Sequence, residues 1–471
     1  MVMRNSSERL ALLGGTPVRQ ESFLIEPMID DEEEHFILRA IQKRNFSRYI
    51  GSGNPDIERQ LRLPSREVAN FSDDWHFLGG ENVRKFGAEF SETFDVSCAI
   101  PINSATSGLS VALAAVGVGP GDEVIVPAMS FTATGTSVLL FNALPVFVDV
   151  DPRTFCIDPQ CIEAAITSRT KAILPVHLLG NACDMDAIVR IADRYHLKII
   201  EDCAQAPGTR YKGQYVGTIG DAGVFSFQQS KNIMTGEGGM IVTNDPEVAR
   251  KARLILNHGE AIMDDSHREE ELVNIVGCNM RMPELCAALG RAQLKKLHVI
   301  NDQRNRNFSR LVEGLEGIPG LTPPFIPPDV HYICHIAAFL YDSEVIELPR
   351  DIFLAAVRAE GIPMGTGYTR LMYENPLFLR RIAYGSRSCP WTCPEKESQV
   401  EYRSGQCPVA ENLINEKFLW LYHIAYPSTE RDMDDVVSGI RKVIQFKREL
   451  RQHAEKIRES GAGKKQQGRI V

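Results

Sequence analysis

Short apolar runs rich in β-branched residues alternate with longer amphipathic stretches between about residues 97 and 243. The short runs have the length and composition of buried strands, whereas longer stretches such as 107–116 and 184–195 have the periodicity of helices. This alternation is typical of a parallel sheet wrapped by helices, so the pattern predicts an α/β fold. The predicted strands are 98–103, 123–127, 145–150, 171–176, 198–201, 223–227 and 239–243.

Residues 319–328 read PGLTPPFIPP, and this density of proline excludes a helix or a central strand. We interpret the segment as a surface passage into a smaller C-terminal domain. At 471 residues the chain exceeds what one hydrophobic core usually supports. The predicted parts are an N-terminal arm and helix (1–78), a large domain (79–300), a small domain (301–445) and a basic, partly disordered tail (446–471).

Charge and hydropathy exclude several classes of function. The formal net charge of −9 gives no general attraction to nucleic-acid phosphates, so no nucleic-acid partner is predicted. No run approaches the roughly 18 apolar residues of a membrane span, and the N-terminus lacks a secretory apolar segment. Eleven cysteines, an odd number, fit a reducing compartment, which predicts a cytoplasmic protein. Cys389, Cys393 and Cys407 lack a nearby fourth ligand, so no metal site is predicted.

Three polar residues stand at or just beyond the predicted strand ends. Asp202 follows an apolar run, Ser226 ends the next predicted strand, and Lys231 comes five residues later. Pyridoxal phosphate chemistry requires a carboxylate at the ring nitrogen, an amine for a Schiff base and a hydroxyl for the phosphate. Taken singly, an aspartate after a strand is usually a turn or cap residue, and a lone lysine is usually solvated.

The spacing of these residues resembles that of the DegT/DnrJ/StrS sugar aminotransferases. Their pattern is Asp-x-Ala-Gln, then Ser-Phe-x-x-x-Lys, then Gly-Glu-Gly-Gly, and this chain supplies Asp202 to Gln205, Ser226 to Lys231, and 236–239. The likeness covers most of residues 79 to 430. It implies the fold of the type I, aspartate aminotransferase-like enzymes and pyridoxal 5′-phosphate as cofactor, with Lys231 and Asp202 as the catalytic residues.

The same resemblance implies further contacts. Ala105 and Thr106, which open the helix after the first strand, are expected to contact the phosphate, and Phe131 is expected to stack on the cofactor ring. Gln205 is expected to hydrogen-bond the phenolic oxygen of the cofactor or to cover the other face of its ring. Asn279 is expected to reach the phosphate of a neighbouring subunit's cofactor. Such sharing implies a homodimer. Helix capping and core packing are the alternative roles that the sequence leaves open for these positions. His177 and His258 are expected to bind the sugar, although a lone histidine is more often structural.

The predicted activity is transfer of an amino group from glutamate or glutamine to a keto-sugar or keto-cyclitol by a ping-pong mechanism through Lys231. The opening LALLGGTPVR and the stretch GYTRLMYENPLF favour the aminocyclitol branch. One alternative is a sugar dehydratase of the same fold, which carries histidine where Lys231 stands. The other is a non-catalytic regulatory protein that has inherited the fold. Residues 44–78 exceed the family pattern, and their five aromatic residues, Trp75 among them, predict a packed insertion of unknown location.

Overall fold

The computed structural model describes residues 9–49, 57–71, 77–259, 261, 275–367, 370–386, 388–393, 396–397 and 400–459. Trp75, most of the loop before Ile275 and the end of the basic tail from residue 460 lie outside this part of the chain. Within it, no helix combines the length and the apolar composition that crossing a membrane requires.

A seven-stranded sheet forms the centre of the molecule, and its strand order is β1-β9-β8-β5-β4-β2-β3. Only β9 runs antiparallel to its neighbours, so the predicted mainly parallel α/β fold is confirmed. All seven predicted strands are present; two have the predicted ends, and the ends of the other five differ by at most three residues. Its strands are β1 (Cys98–Ile102), β2 (Glu123–Pro127), β3 (Leu144–Val148), β4 (Thr170–Ile173), β5 (Lys198–Asp202), β8 (Ala222–Ser226) and β9 (Gly239–Thr243).

Smaller sheets complete the strand inventory. A four-stranded antiparallel sheet in the C-terminal part has the order β10-β12-β16-β13, and the proline-dense passage contributes only its edge strand. A three-stranded sheet has the order β11-β6-β7, and β14 pairs with β15. These strands are β6 (Arg210–Tyr211), β7 (Gln214–Tyr215), β10 (Leu321–Thr322), β11 (Val330–His331), β12 (Ala337–Tyr341), β13 (Gly365–Thr366), β14 (Thr392–Cys393), β15 (Lys396–Glu397) and β16 (Phe418–Leu421).

Helices cover the sheets, and both predicted helices are confirmed as α5 and α8. Short polar side chains cap their first turns: Ser104 accepts from the Ser107 N–H, and Asp184 accepts from the Ala187 N–H. The helices are α1 (Asp31–Gln42), α2 (Ile57–Gln60), α3 (Ser65–Val68), α4 (Glu81–Thr93), α5 (Ala105–Ala115), α6 (Ala133–Leu139), α7 (Pro159–Ala164), α8 (Met185–Tyr195), α9 (Pro246–Ile255), α10 (Glu284–Lys295), α11 (Leu297–Leu315), α12 (Ser343–Ile346), α13 (Arg350–Ala359), α14 (Pro376–Leu379), α15 (Pro408–Asn412), α16 (Glu430–Gln445), α17 (Lys447–Gln452) and α18 (Ala454–Glu459). A π-helical turn, Leu413–Lys417, follows α15.

The predicted domain limits stay a prediction. The proposed boundary at residue 300 falls inside the continuous helix α11, and one hydrophobic core extends from the seven-stranded sheet to the four-stranded sheet. The first part of the basic tail is helical and holds Leu450 in the core.

The described part of the insertion packs on α4 and α9. A small apolar cluster joins Ile57, Leu61 and Phe77 to Leu254 of α9. The buried guanidinium of Arg253 donates to the carbonyls of residues 60, 61 and 63, which lie at and after the end of α2. The prediction that the insertion packs is therefore confirmed for its described residues, and its location is known.

Candidate active site

The carboxyl ends of the central strands border a cavity of about 1040 Å³. In open parallel sheets this edge gathers ligand-binding groups, because polar side chains that end neighbouring strands meet there. Of the eight predicted catalytic and cofactor-binding residues, seven line this one cavity: Ala105, Thr106, Phe131, Asp202, Gln205, Ser226 and Lys231. The eighth, Asn279, lies elsewhere on the surface.

Asp202 is the last residue of β5 and is 5% exposed. One carboxylate oxygen accepts the Thr134 hydroxyl at 2.9 Å, and the other accepts the Ala204 N–H at 3.1 Å. Burial raises the pKa of Asp202, while these two hydrogen bonds and the charge of Lys231 oppose the shift. The carboxylate is therefore held in one position and is predisposed to bind a cationic partner.

Lys231 lies on the loop after β8, and its half-buried side chain opens onto the cavity. Burial lowers the pKa of its amine from 10.5 to about 8, the charge of Arg304 acts in the same direction, and Asp202 opposes both. A lysine amine with a pKa near 8 is deprotonated often enough at neutral pH to act as a nucleophile and as a base.

The alternation of β8 explains why Ser226 faces the cavity. Phe225 and Phe227 point to the other side of the strand, where their rings pack at 5.2–5.9 Å against Phe90 of α4. Ser226 therefore projects its hydroxyl toward the ligand side, where it also receives the Gln228 N–H at 3.4 Å. The carboxyl end of an otherwise apolar strand thus presents a polar side chain to the cavity, on the face opposite the apolar core.

The N-terminus of α5 borders the same cavity as Ser226 and has the N–H groups that an anion requires. Ala105 and Thr106 are the first residues of this helix, whose first-turn N–H groups have no acceptor within the helix. Gly239 of β9 runs so close that an added Cβ would lie 2.7 Å from the Ala105 nitrogen. A glycine is required there because any side chain would displace the start of the helix.

Phe131 and Gln205 occupy different walls of the cavity. The Phe131 ring is 49% exposed, which is unusual for a phenylalanine and leaves one face open for stacking. Gln205 is 4% exposed and accepts the Leu179 N–H at 2.9 Å through Oε1. An aromatic face, a carboxylate, an amine and a helix N-terminus therefore surround one space.

His177 does not line the cavity, so the predicted sugar contact is not supported by its position. The ring has no exposed surface, its Nε2 lies 2.9 Å from Glu201, and its Nδ1 accepts the Cys183 N–H. Glu201 also accepts three main-chain N–H groups from residues 217–220. Cys203 completes a buried trio of potential metal ligands, but the Glu201 oxygens already accept four donors. This histidine is part of a hydrogen-bonded core.

His258 and Asn279 lie together on the surface, away from the cavity of their own chain. Both side chains are exposed, and the two segments pair through the His258 N–H and the Cys278 carbonyl at 2.9 Å. Arg281 donates its Nε to the Asn279 Oδ1 at 2.9 Å, so the oxygen of this exposed amide is occupied. A contact of either residue with a substrate or cofactor requires a second copy of the chain.

The far wall of the cavity comes from the C-terminal part of the chain and was missed by the sequence analysis. Its polar residues are Arg350, Thr366, Arg370, Glu374 and Asn415, and the wall near Lys231 adds His335. Arg350 is fixed by the π-helical turn, because its Nη1 donates to the Ile414 carbonyl at 3.2 Å. The motif GYTRLMYENPLF contains Arg370 and Glu374 and could have drawn attention to them. Its sequence alone, however, does not indicate that these residues line a cavity.

These residues fit pyridoxal 5′-phosphate. A carboxylate suits a protonated ring nitrogen, and an amine of lowered pKa suits the aldehyde. Ser226 and the start of α5 suit the phosphate, and the exposed ring of Phe131 suits a stacked pyridine. The cavity is also large enough to admit a substrate beside the cofactor.

Comparison with known proteins agrees with this geometry. The family model described as the DegT/DnrJ/EryC1/StrS aminotransferase family matches residues 64–441. L-glutamine:2-deoxy-scyllo-inosose aminotransferase of Streptoalloteichus tenebrarius is 37% identical over 78% of this chain and 87% of its own length. Spore coat polysaccharide biosynthesis protein SpsC of Bacillus subtilis is 33% identical over 86% of this chain and 99% of its own.

Solved structures show the same fold. The aminotransferase from Psychrobacter cryohalolentis superposes with a TM-score of 0.75 and 30% identity, covering 90% of this chain and 100% of its own. 3-Amino-5-hydroxybenzoic acid synthase gives a TM-score of 0.72 and 27% identity, covering 91% of this chain and 99% of its own. The expected type I fold and cofactor are confirmed. The chain belongs to the DegT/DnrJ/EryC1/StrS aminotransferase family and is a pyridoxal 5′-phosphate-dependent aminotransferase.

Proposed function

We propose that this enzyme transfers the amino group of glutamine or glutamate to the ketone of a polyhydroxylated ring, with a keto-cyclitol as the preferred acceptor. The observation that carries the proposal is the convergence of Asp202, Ser226 and Lys231 on one cavity. The relatives named above as glutamine:inosose aminotransferases support both the donor and the acceptor class. The polar far wall offers partners for the hydroxyl groups of such a ring.

Each residue has a distinct proposed task. Bound pyridoxal phosphate supplies an aldehyde that takes up an amino group and a cationic ring that accepts electrons. Asp202 holds the proton on the ring nitrogen, and Thr134 and the Ala204 N–H keep the carboxylate in place. Lys231 anchors the cofactor and, once released by the donor, moves a proton between the substrate carbon and the cofactor. Both halves of a ping-pong reaction use this one amine in opposite directions.

We propose further that the active enzyme is a homodimer in which Asn279 of one copy binds the cofactor phosphate of the other. The exposed amide of Asn279 offers a donor of the required kind, because Arg281 occupies its oxygen and its nitrogen has no hydrogen-bond partner among the residues that the structure describes. The exposed apolar side chains of Leu24, Ile25 and Ile29 on the N-terminal arm support a face that a second copy covers.

Replacing Lys231 with alanine tests the central role. We expect turnover to fall by about 10⁴-fold or more, because both anchoring and proton transfer are lost. The visible absorbance of the covalently attached cofactor should disappear as well. Lys198→Ala is a suitable control, because Lys198 lies at the opposite end of β5 and pairs with Asp221. An active, yellow Lys231→Ala protein would contradict the assignment.

A half-reaction assay tests the acceptor. The aminated cofactor form, prepared with glutamine, is mixed with keto-inositols and, separately, with keto-sugar nucleotides, and the recovery of visible absorbance is followed. We expect the inososes to restore it at least tenfold faster. Preference for a nucleotide sugar would refute the cyclitol assignment while leaving the roles of Lys231 and Asp202 intact.

Subunit complementation tests the shared site. Lys231→Ala and Asn279→Asp chains are mixed, so that each heterodimer retains one site with both native residues. Activity above that of either parent is expected. If mixing restores nothing, and the Asn279→Asp protein alone binds cofactor normally, the proposed contribution from a second copy is excluded.

A further inference from the structure

A chain of buried polar side chains lies behind Lys231. Asn301 donates its Nδ2 to the Pro207 carbonyl at 2.8 Å, Asn232 donates its Nδ2 to the Asn301 Oδ1 at 2.9 Å, and the Asn232 Oδ1 lies 3.0 Å from His335 Nδ1. Each of these three side chains is at most 5% exposed. The network therefore links the core beneath the sheet to a ring on the cavity wall.

The direction of the hydrogen bonds fixes the tautomer of His335. A main-chain carbonyl can only accept, so the amide group of Asn301 that faces Pro207 is its NH₂ and the group that faces Asn232 is its oxygen. The same logic turns the Asn232 oxygen toward His335. Since that oxygen can only accept, Nδ1 of His335 must carry the proton, and Nε2 of the neutral ring keeps its lone pair.

The surroundings keep this ring neutral. Burial, and then the positive charges of Lys231 and Arg304, hold the pKa of His335 well below its ordinary value. The Tyr422 ring packs edge-on at 6.3 Å, and Arg304 donates its Nη1 to the His335 carbonyl at 2.8 Å. The ring therefore stays in place as a neutral acceptor beside a cationic amine.

We propose that His335 is a positioning residue for Lys231, which lines the same cavity. The two side chains are not bonded as the structure describes them, and we infer that the free amine turns to donate a hydrogen bond to Nε2, which directs its lone pair toward the substrate carbon. The inference rests on the proposed role of Lys231. A free amine at the end of a four-carbon stem has many orientations, and a fixed acceptor removes those in which the lone pair points away from the reacting carbon.

The backbone around the network leaves it little room to move. An added Cβ at Gly208 would lie 2.7 Å from the Asn301 Nδ2, so the turn after Pro207 approaches the amide as closely as glycine permits. Asn232 directly follows Lys231 in the chain, so a shift of the network would also shift the lysine. This coupling is expected of a group that sets the position of the amine.

Two substitutions separate the acceptor from the ring. His335→Phe fills the space without an acceptor, whereas His335→Gln presents an amide oxygen near the position of Nε2. In the apoprotein, the pH dependence of Lys231 acylation, followed by mass spectrometry, gives the pKa of the amine. An acceptor stabilises the ammonium form more than the free amine, so His335→Phe should lower the measured pKa of Lys231 by roughly one unit relative to the native apoprotein, and His335→Gln should restore it.

In the holoenzyme, the rate of the donor half-reaction should fall about tenfold in His335→Phe, which corresponds to one lost hydrogen bond, and recover in His335→Gln. The KM for the donor should change less than about twofold. A normal donor half-reaction combined with a raised KM for the keto substrate would assign His335 to substrate binding and overturn the proposal. An unchanged Lys231 pKa in the apoprotein would overturn it as well.

The unsubstituted protein provides a test that does not depend on the folding of a variant. Two-bond ¹H–¹⁵N correlation spectra of histidine-labelled protein distinguish the two neutral tautomers, and His335→Gln identifies the signal. We expect the Nδ1-protonated form between pH 6 and 9, and an Nε2-protonated ring would refute the proposal. All these proteins retain Lys231, so failure here leaves the role of that lysine intact, whereas an active Lys231→Ala enzyme would remove the basis of the inference.

Discussion

The two walls of the active-site cavity are built in different ways. The near wall consists of strand ends and a helix N-terminus of the seven-stranded sheet, and its key groups, such as Asp202 and Ser226, are buried and held by hydrogen bonds. The far wall consists of loops and helix ends from residues 350–415, and it presents longer side chains such as Arg350 and the exposed Arg370.

This difference matches a division of labour. Proton transfer depends on distances of a fraction of an ångström, so its groups belong on a rigid sheet or, like Lys231, on a loop directly next to a strand end. Substrate identity is read by groups that differ between related enzymes, and loops tolerate such changes without disturbing the core. The near wall is therefore expected to set the reaction, and the far wall to set the acceptor.

Among the substitutions that test this division between the walls, Asp202→Asn is expected to have the largest effect on the reaction rate. An amide cannot hold the proton on the ring nitrogen, so we expect the rate of the donor half-reaction to fall about 10³-fold while the cofactor still binds. Stopped-flow absorbance of the half-reaction measures the rate. Asp221→Asn is the control, because this carboxylate binds Lys198 and the Ile199 N–H at the opposite end of the sheet. A near-normal rate in Asp202→Asn would contradict the conclusion that the near wall sets the reaction.

Arg350→Gln is the corresponding change on the far wall. We expect KM for the keto substrate to rise about 10- to 100-fold, because one charged hydrogen bond to a substrate oxygen is lost. The rate of the donor half-reaction with the amino acid donor should change far less. Steady-state kinetics with both substrates measure the two effects. Arg358→Gln on the same helix is the control, since its Nε binds the Met364 carbonyl and it does not line the cavity. Equal losses in both half-reactions would show that the two walls do not divide the work.

The near wall could be predicted from the sequence because its chemistry follows local rules. Asp202 and Ser226 stand where apolar runs end, and the spacing of Asp202, Ser226 and Lys231 matches the pattern of the resembled family. That resemblance also supplied Ala105, Thr106, Phe131 and Gln205. These seven residues converge because parallel strands bring their carboxyl ends to one edge.

The far wall could not be predicted because nothing local marks its residues. Arg350 is an ordinary first-turn residue of α13 in sequence, and it reaches the cavity only because the π-helical turn of residues 413–417 binds its guanidinium. His177 was expected to bind the sugar because of the family resemblance, but its buried ring lies in the core beside Glu201. Contacts between distant segments decide both cases.

Thr134→Val is expected to have a moderate effect on the near wall. It removes the hydroxyl that donates to Asp202 at 2.9 Å and preserves the shape of the side chain. The carboxylate keeps the Ala204 N–H, so we expect the donor half-reaction to slow about fivefold to tenfold, as one neutral-to-charged hydrogen bond is lost. Thr136→Val is the control, because its hydroxyl binds only the Thr132 carbonyl within its own helix. An unchanged rate in Thr134→Val would mean that the carboxylate is held without its hydroxyl partner.

The smallest expected effect is a change in the stability of the apoprotein rather than in a reaction rate, and it comes from Lys231→Met. Lys231→Met removes an amine whose folded-state pKa is about 8, below its ordinary value of 10.5. Below pH 8 the amine is charged in both states and burial penalises the folded one, so the substitution should stabilise the apoprotein by about 1–2 kcal/mol. The gain should shrink as pH rises from about 8 and vanish near 10.5, because the amine is then neutral in both states.

Calorimetry of the apoprotein should show this gain as a rise in Tm of about 1–2 °C at pH 7, because a chain of 471 residues has a large unfolding entropy. Arg370→Met on the far wall should change Tm by less, because its exposed guanidinium is already hydrated. If the Lys231→Met protein is no more stable than the native one, burial of the Lys231 ammonium charge does not lower the free energy of unfolding. The two walls would then not differ in energetic cost. A difference is expected because a protein gives up stability where function requires a group to be kept in an unfavourable state, as burial does to the charged amine of Lys231 on the near wall.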